Sequence, residues 1–358
     1  MAPEAKQGQA DAAVAPGQAL SQRLSGRAGP LVLDGATGTE LERAGLATGL
    51  PLWSTHALLE APECVFQIHA AYLEAGAEIV TANTFRTQRR ALARGGLAEG
   101  DARLTRLAVE LARLARAAVA AAVARRGAEG RPSWVAGSLP PLEDCYRPDL
   151  VPSEAELAVE HGRQADLLGE AGADMILVET MNSRREARAA ARAAARTGLP
   201  FSVSFAAWDG ARLLSGESLV DAASEAIALG AAAVGVNCLP IANLGACWRA
   251  LAGLRTPLLA SPNLGRPEPS MGFARDDSGD PCAFPDAFDD WLAQSAAVVG
   301  GCCGTTPAHI AALAARVRDL SNPNEAGYAT NWVTHSPRLP ARFHAPAVRL
   351  PARDRSET

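Results

Sequence analysis

Eight short apolar runs recur along the chain, each followed by a stretch with helical spacing, and this alternation limits the fold more than any other feature. The runs are 31–34, 78–83, 133–139, 174–179, 200–206, 232–238, 257–263 and 297–301. Between them lie Ala-, Leu- and Arg-rich stretches such as 62–75, 102–126, 154–171 and 184–197. Strands that alternate with helices imply a parallel sheet. The strands are apolar throughout, as in Ala232-Ala233-Val234-Gly235-Val236, which suits elements covered on both faces. Eight such repeats fit a closed barrel better than an open sheet, so the expected fold is a single (β/α)8 TIM-type barrel over residues 30–320. Two near-repeats, Ala75-Gly76-Ala77-Glu78 and Ala171-Gly172-Ala173-Asp174, read as helix-to-strand turns with glycine as a left-handed cap. A doubly wound nucleotide-binding fold would want G-x-G-x-x-G after its first strand, and Gly35-Ala36-Thr37-Gly38 does not supply it.

The flanks carry different expectations. Residues 1–29 are rich in Ala, Gly and Gln, with no apolar segment beside a basic cluster; they read as a flexible leader, not a secretory signal. Residues 321–358 form a Pro- and Arg-containing tail. A formal net charge of −5 argues against nucleic acid, whose binders need a basic stripe. The absence of a long apolar run argues against a membrane span. Seven cysteines in a long chain without a signal are expected to be reduced thiols of a cytoplasmic protein.

In a barrel the strand ends converge on one mouth. Those ends carry Asp34, Asn83, Ser138, Glu179, Cys238, Asn263, Cys302 and Cys303. Runs six and eight are separated only by run seven, so Cys238 and the Cys302-Cys303 pair can meet at the rim. Three thiolates with one open position suit Zn²⁺. Buried cysteines also serve as small hydrophobes, and spacing alone leaves the two readings about level. Gly300, Gly301 and Gly304 favour the metal, because they let the backbone turn two consecutive side chains toward one ion. Two long connections, 139–152 and 264–283, would overhang this mouth.

The segments Asp34-Gly35-Ala36-Thr37-Gly38-Thr39-Glu40-Leu41, Val236-Asn237-Cys238 and Gly300-Gly301-Cys302-Cys303-Gly304-Thr305-Thr306-Pro307 resemble the homocysteine S-methyltransferase family. The resemblance covers about residues 31–320. It implies that Cys238, Cys302 and Cys303 hold Zn²⁺, with the homocysteine thiol at the fourth position. It implies that Asp34 and Glu179 receive the substrate ammonium, and that backbone N–H groups near Gly35 and Ala82 receive the carboxylate. Asn237 joins this substrate-binding set. The partners are then small molecules, homocysteine and a methyl donor; the oligomeric state stays open.

Leu52-Trp53-Ser54 resembles the corresponding phrase of S-methylmethionine-dependent members, and Trp53 is placed to cover a cationic donor. Phe85 is a further candidate for the pocket wall. Betaine-dependent members have tyrosines where this chain aligns Arg86 and Thr180, so betaine is the weaker donor. Other acceptors, a thiol or a selenol, and a non-catalytic zinc- or thiol-binding sensor remain the alternatives. Cys64, Cys145, Cys247 and Cys282 fit no ligand pattern, although Cys145 and Cys282 lie in the overhanging connections. His309 is expected at the surface.

Overall fold

The computed structural model describes residues 16–25, 29–208, 211–266, 274–275, 279–293 and 296–321. Eight parallel strands follow the eight apolar runs: β1 (Leu31–Val32), β2 (Ile79–Ala82), β3 (Trp134–Leu139), β4 (Met175–Met181), β5 (Phe201–Phe205), β6 (Ala233–Pro240), β7 (Leu258–Asn263) and β8 (Ala296–Val299). Each strand pairs with its neighbours in chain order, and β8 pairs back onto β1. The ring closes between β1 and β2 through a parallel bridge, Leu33 to Ile79. There the Asp34 N–H donates to Ile79 O at 2.9 Å and the Glu78 N–H to Val32 O at 2.7 Å. The expected single (β/α)8 barrel is the observed fold.

The outer helices form for local reasons. Glu154–Glu170 starts on a capping box in which Ser153 accepts from the Glu156 N–H and the Glu156 carboxylate reaches back. Arg184–Arg196 turns Ala187, Ala190, Ala191 and Ala194 inward at helical spacing, so small side chains let the helix lie close on the sheet. Gly76 and Gly172 take φ of +103° and +85° where helices turn into β2 and β4, as a left-handed cap requires. No helix among the described residues is long and apolar enough to cross a membrane.

Apolar packing falls into two bodies. One lies between strands and helices and includes Val80, Val135, Val178, Val203 and Val234. The other fills the lower barrel with Leu31, Leu33, Ile79, Trp134, Met175, Leu177 and Leu259. Residues Pro16–Leu24 form a helix whose Leu20 and Leu24 are fully buried in this second body. Arg23 pairs with Glu78 at 3.0 Å. This part of 1–29 therefore departs from a flexible leader. The floor of the barrel would otherwise leave apolar side chains in water, and each leucine buried there contributes about 1.5–3 kcal/mol. Residues 1–15 and 26–28, and the tail from 322, lie outside the described residues. Of the connection 264–283, Gly265–Arg266 pairs antiparallel with Ala274–Arg275.

Candidate active site at the barrel mouth

Cys238 lies near the end of β6, and Cys302 and Cys303 lie in the turn after β8. Their Sγ atoms are all within 4.8 Å of one another. The protein's own hydrogen bonds hold the turn. The Cys302 N–H donates to Pro262 O at 2.9 Å and the Leu264 N–H to Cys303 O at 2.9 Å. The Cys303 N–H donates to Asn263 Oδ1 at 3.1 Å, and the Thr305 hydroxyl to Cys302 O at 2.7 Å. Gly304 takes φ of +85°, strained for any residue with a Cβ. The turn thus brings two consecutive side chains to one side, which a strand would send to opposite faces.

The hydrogen bonds shared among the three thiols raise and lower each of them in opposition, and burial with the neighbouring charges leaves each well above the ordinary cysteine range. A cation bound among them would draw off their protons. Three sulfur donors with room for one more ligand fit Zn²⁺ in charge, softness and number.

Asp34 and Glu179 line the same pocket, with Asp144 also in its wall. Asp34 accepts from the Thr81 N–H at 2.7 Å and the Thr81 hydroxyl at 2.9 Å. Glu179 accepts from the Ser138 hydroxyl and, at 3.3 Å, from the Asn237 amide. Burial pushes Asp34 up to about 7 against the pull of the Thr81 hydrogen bonds, with the Glu179 charge adding to the rise. Burial likewise pushes Glu179 up to about 7, with the Ser138 hydrogen bond opposing it. Both are acids that a nearby cation would ionise.

Asn237 also lines the pocket, yet its amide is engaged within the protein. Oδ1 accepts from the Thr180 N–H and the Ser204 hydroxyl, both at 2.8 Å, and Nδ2 donates to Thr180 Oγ1 at 2.8 Å as well as to Glu179. This geometry makes it a brace for Glu179. It also holds Thr180 at φ of +60°, a conformation costly for a β-branched residue. Cys238 at +51° and Trp53 at +44° share that strain.

Gly35 and Ala82 sit in the pocket wall with Trp53 and Phe85. The Trp53 and Phe85 rings meet edge to face at 5.5 Å. Asn83 pins this loop: it accepts from the Ser54 hydroxyl at 2.6 Å and donates to Ser54 O at 2.9 Å.

The connection after β3 supplies wall residues that no pattern in the sequence singled out as functional. Tyr146 lines the pocket and stacks against Trp208 at 5.5 Å. Burial, then the thiols of Cys238, Cys145, Cys303 and Cys302, push its phenol well above the usual range. Cys145 reaches the pocket, whereas Cys282 is exposed and outside it. Arg86 is in the wall, 7% exposed. For Tyr146 and Cys145 the only sequence signal was a long Pro-rich connection after a strand, whereas Arg86, on the loop after β2, was marked by its alignment with a tyrosine of betaine-dependent members. His309 is buried, not at the surface: its Nδ1 accepts from the Thr306 N–H at 3.2 Å, and its ring packs edge-on against Phe284.

Comparison with known proteins points the same way. The homocysteine S-methyltransferase family model matches residues 31–317. Homocysteine S-methyltransferase of Escherichia coli is 35% identical over 301 residues, which is 80% of this chain and 94% of that one. Selenocysteine Se-methyltransferase of Brassica oleracea is 31% identical over 329 residues, 83% of this chain and 92% of that one. The crystal structure of the homocysteine methyltransferase MmuM from Escherichia coli in its metallated form has a TM-score of 0.72 at 32% identity, covering 84% of this chain and all of that one. With the fold, the thiol cluster and these likenesses in agreement, the chain belongs to the homocysteine S-methyltransferase family.

Proposed function

We propose that this chain transfers a methyl group from a sulfonium donor, S-methylmethionine or S-adenosylmethionine, to the thiol of homocysteine, giving methionine. Cys238, Cys302 and Cys303 would hold Zn²⁺. The observation that carries this reading is the convergence of three thiols and the carboxylates of Asp34 and Glu179 on one pocket. Bound there, Zn²⁺ supplies the positive charge that keeps a thiol ionised near neutral pH. Asp34 and Glu179 match the acceptor ammonium, whose charge draws both to the carboxylate form. Backbone N–H groups at Gly35 and Ala82 suit the acceptor carboxylate. Trp53 offers its face to the donor cation.

In the transfer the sulfonium S–CH₃ bond breaks as the acceptor sulfur forms a new S–C bond in line. The donor leaves as a neutral thioether and the thiol proton goes to water, so no side chain need act as a base. Trp53, Phe85 and Tyr146 keep water from the reacting sulfurs and align donor with acceptor. Free thiols at the site suit a reducing compartment such as the cytoplasm.

A selenol acceptor is the second reading, favoured by the 31% identity to a selenocysteine Se-methyltransferase. Metal analysis and methyl transfer on wild type and Cys238→Ala test both. Each thiol or selenol acceptor is paired in turn with S-methylmethionine, S-adenosylmethionine and betaine. One zinc per chain, lost with turnover in the variant, supports the site and identifies the substrates. Activity intact in reduced, zinc-free protein overturns it.

A further inference from the structure

Arg86 takes no part in the reaction above, and its position is a costly one. Its Nη1 donates to Glu143 O at 2.9 Å, while Nε is buried with no hydrogen-bond partner. Its three neighbours in the same stretch are all matched to carboxylates. Arg90 and Arg94 take Glu143, Arg90 at 2.5 Å, and Arg89 shares Asp101 with Arg163. Arg86 alone of the four faces the pocket. Among the described residues no carboxylate oxygen comes within 4.0 Å of it. Asp144, also in the wall, has its Oδ1 taken by the Tyr146 N–H at 2.9 Å. The Phe85 ring, with Arg86 Cζ 5.4 Å from its centroid, compensates only in part. A buried guanidinium without a counterion is strongly unfavourable, so the site is built for an anion that arrives with a ligand.

That ligand has to be the donor. The acceptor is matched to groups at the strand ends, Asp34, Glu179 and the thiols. Arg86 lies four residues past the end of β2, on the loop that carries Phe85 beside Trp53. In-line transfer stacks the donor on the acceptor sulfur, toward these loops. Resting on the methyl-transfer reading, we infer that Arg86 binds the carboxylate of the methyl donor and thereby selects a sulfonium amino acid. Its planar fork suits a carboxylate bidentately. The spacer of a sulfonium amino acid keeps the sulfonium clear of the guanidinium, whereas betaine, with cation and carboxylate close together, brings like charges near.

The test uses zinc-loaded full-length protein with S-methylmethionine and its carboxamide, in wild type, Arg86→Lys and Arg86→Gln. Initial rates are measured with each donor, and binding of each donor is followed by calorimetry in the presence of homocysteine. Wild type is expected to prefer the carboxylate on the order of 10²-fold in kcat/KM. Arg86→Gln abolishes that preference through the donor KM, leaving the carboxamide rate and the homocysteine KM unchanged. Arg86→Lys keeps roughly a tenfold preference. Equal use of both donors by wild type overturns the inference. So does a variant that slows both donors alike or raises the homocysteine KM, since that marks a structural or acceptor-side role. If Arg86→Gln does not fold, the wild-type preference and Arg86→Lys decide. Failure of the methyl-transfer reading looks different: homocysteine binds and no donor is consumed. The calorimetric preference for the carboxylate then still decides on Arg86, and no binding of S-methylmethionine overturns both.

Discussion

The inside of the barrel changes character along β3 and β4. At the lower end Trp134 and Met175 pack with Leu20 and Leu24. At the upper end of the same strands Ser138 donates to Glu179, and Asn237, Ser204 and Thr81 fill the neighbouring positions with polar atoms. Inward-facing residues alternate along a strand at both ends, but what they do for the molecule differs. The floor lowers the free energy of the folded state by burial. The mouth raises it, through buried Asp34, half-buried Glu179 and the left-handed backbone at Thr180 and Cys238. Stability and chemistry are thus separated along the barrel axis.

Exchanging damage between the two ends is the sharpest way to break that comparison. Cys302→Ala at the mouth is expected to lower methyl transfer by about 10³-fold or more and to remove the bound metal. Metal content, kinetics and a melting curve on the metal-free protein check it; a collapse of the metal-free fold would join the two ends after all. Trp134→Ala at the floor should cost about 3–5 kcal/mol in denaturant unfolding, with kcat/KM per folded molecule within about twofold of wild type. A large kinetic effect there would show that floor and mouth are coupled.

Smaller effects sharpen the same contrast. Glu179→Gln should reduce kcat/KM for homocysteine by about 2–3 kcal/mol, because it unpairs a buried charge in the complex. The two carboxylates near 7 also set a pH dependence. An ammonium ligand needs them ionised, so its affinity falls as pH drops below about 7. Methionine, which has no thiol to titrate, isolates this effect: its inhibition constant should rise by up to about tenfold per carboxylate per pH unit below 7. A flat profile would remove Asp34 and Glu179 from ligand binding.

Stability runs the other way. A carboxyl whose pKa is raised on folding stabilises the native state below its unfolded value, and that contribution is lost as pH rises through about 7. Asp34→Asn should therefore stabilise the ligand-free protein by about 1 kcal/mol at pH 8 and by little at pH 5. Melting curves at the two pH values check the sign.

The features legible in the sequence were those that repeat or cluster. Continuous apolar runs such as Ala232–Val236 must be covered on both faces, so eight of them pointed to a barrel. Polar residues closing those runs then marked the mouth. The helix Pro16–Leu24 was hidden because only Leu20 and Leu24 anchor it, too few to stand out against Ala and Gln. Arg86 was marked by its alignment with a tyrosine of betaine-dependent members, but its burial was hidden for another reason. In Arg86-Thr87-Gln88-Arg89-Arg90 three arginines look alike, and only packing tells the buried one from those paired on the outer side. Asn237 entered the substrate-binding set with the family resemblance; that its amide is already engaged by Thr180, Ser204 and Glu179 depends on three other segments meeting it.

The backbone bonds from Cys302 and Cys303 to Pro262, Leu264 and Asn263 have a consequence for how the enzyme comes to be loaded. They hold two candidate ligands in position by the protein's own hydrogen bonding, so, on the proposed metal reading, the choice of ion would be left to coordination preference and to supply. A chain made during zinc scarcity would stand folded and ready, and a thiophilic competitor such as cadmium would meet the same prepared set of sulfurs. On that reading, fidelity toward zinc would rest with the cell's metal economy rather than with the barrel.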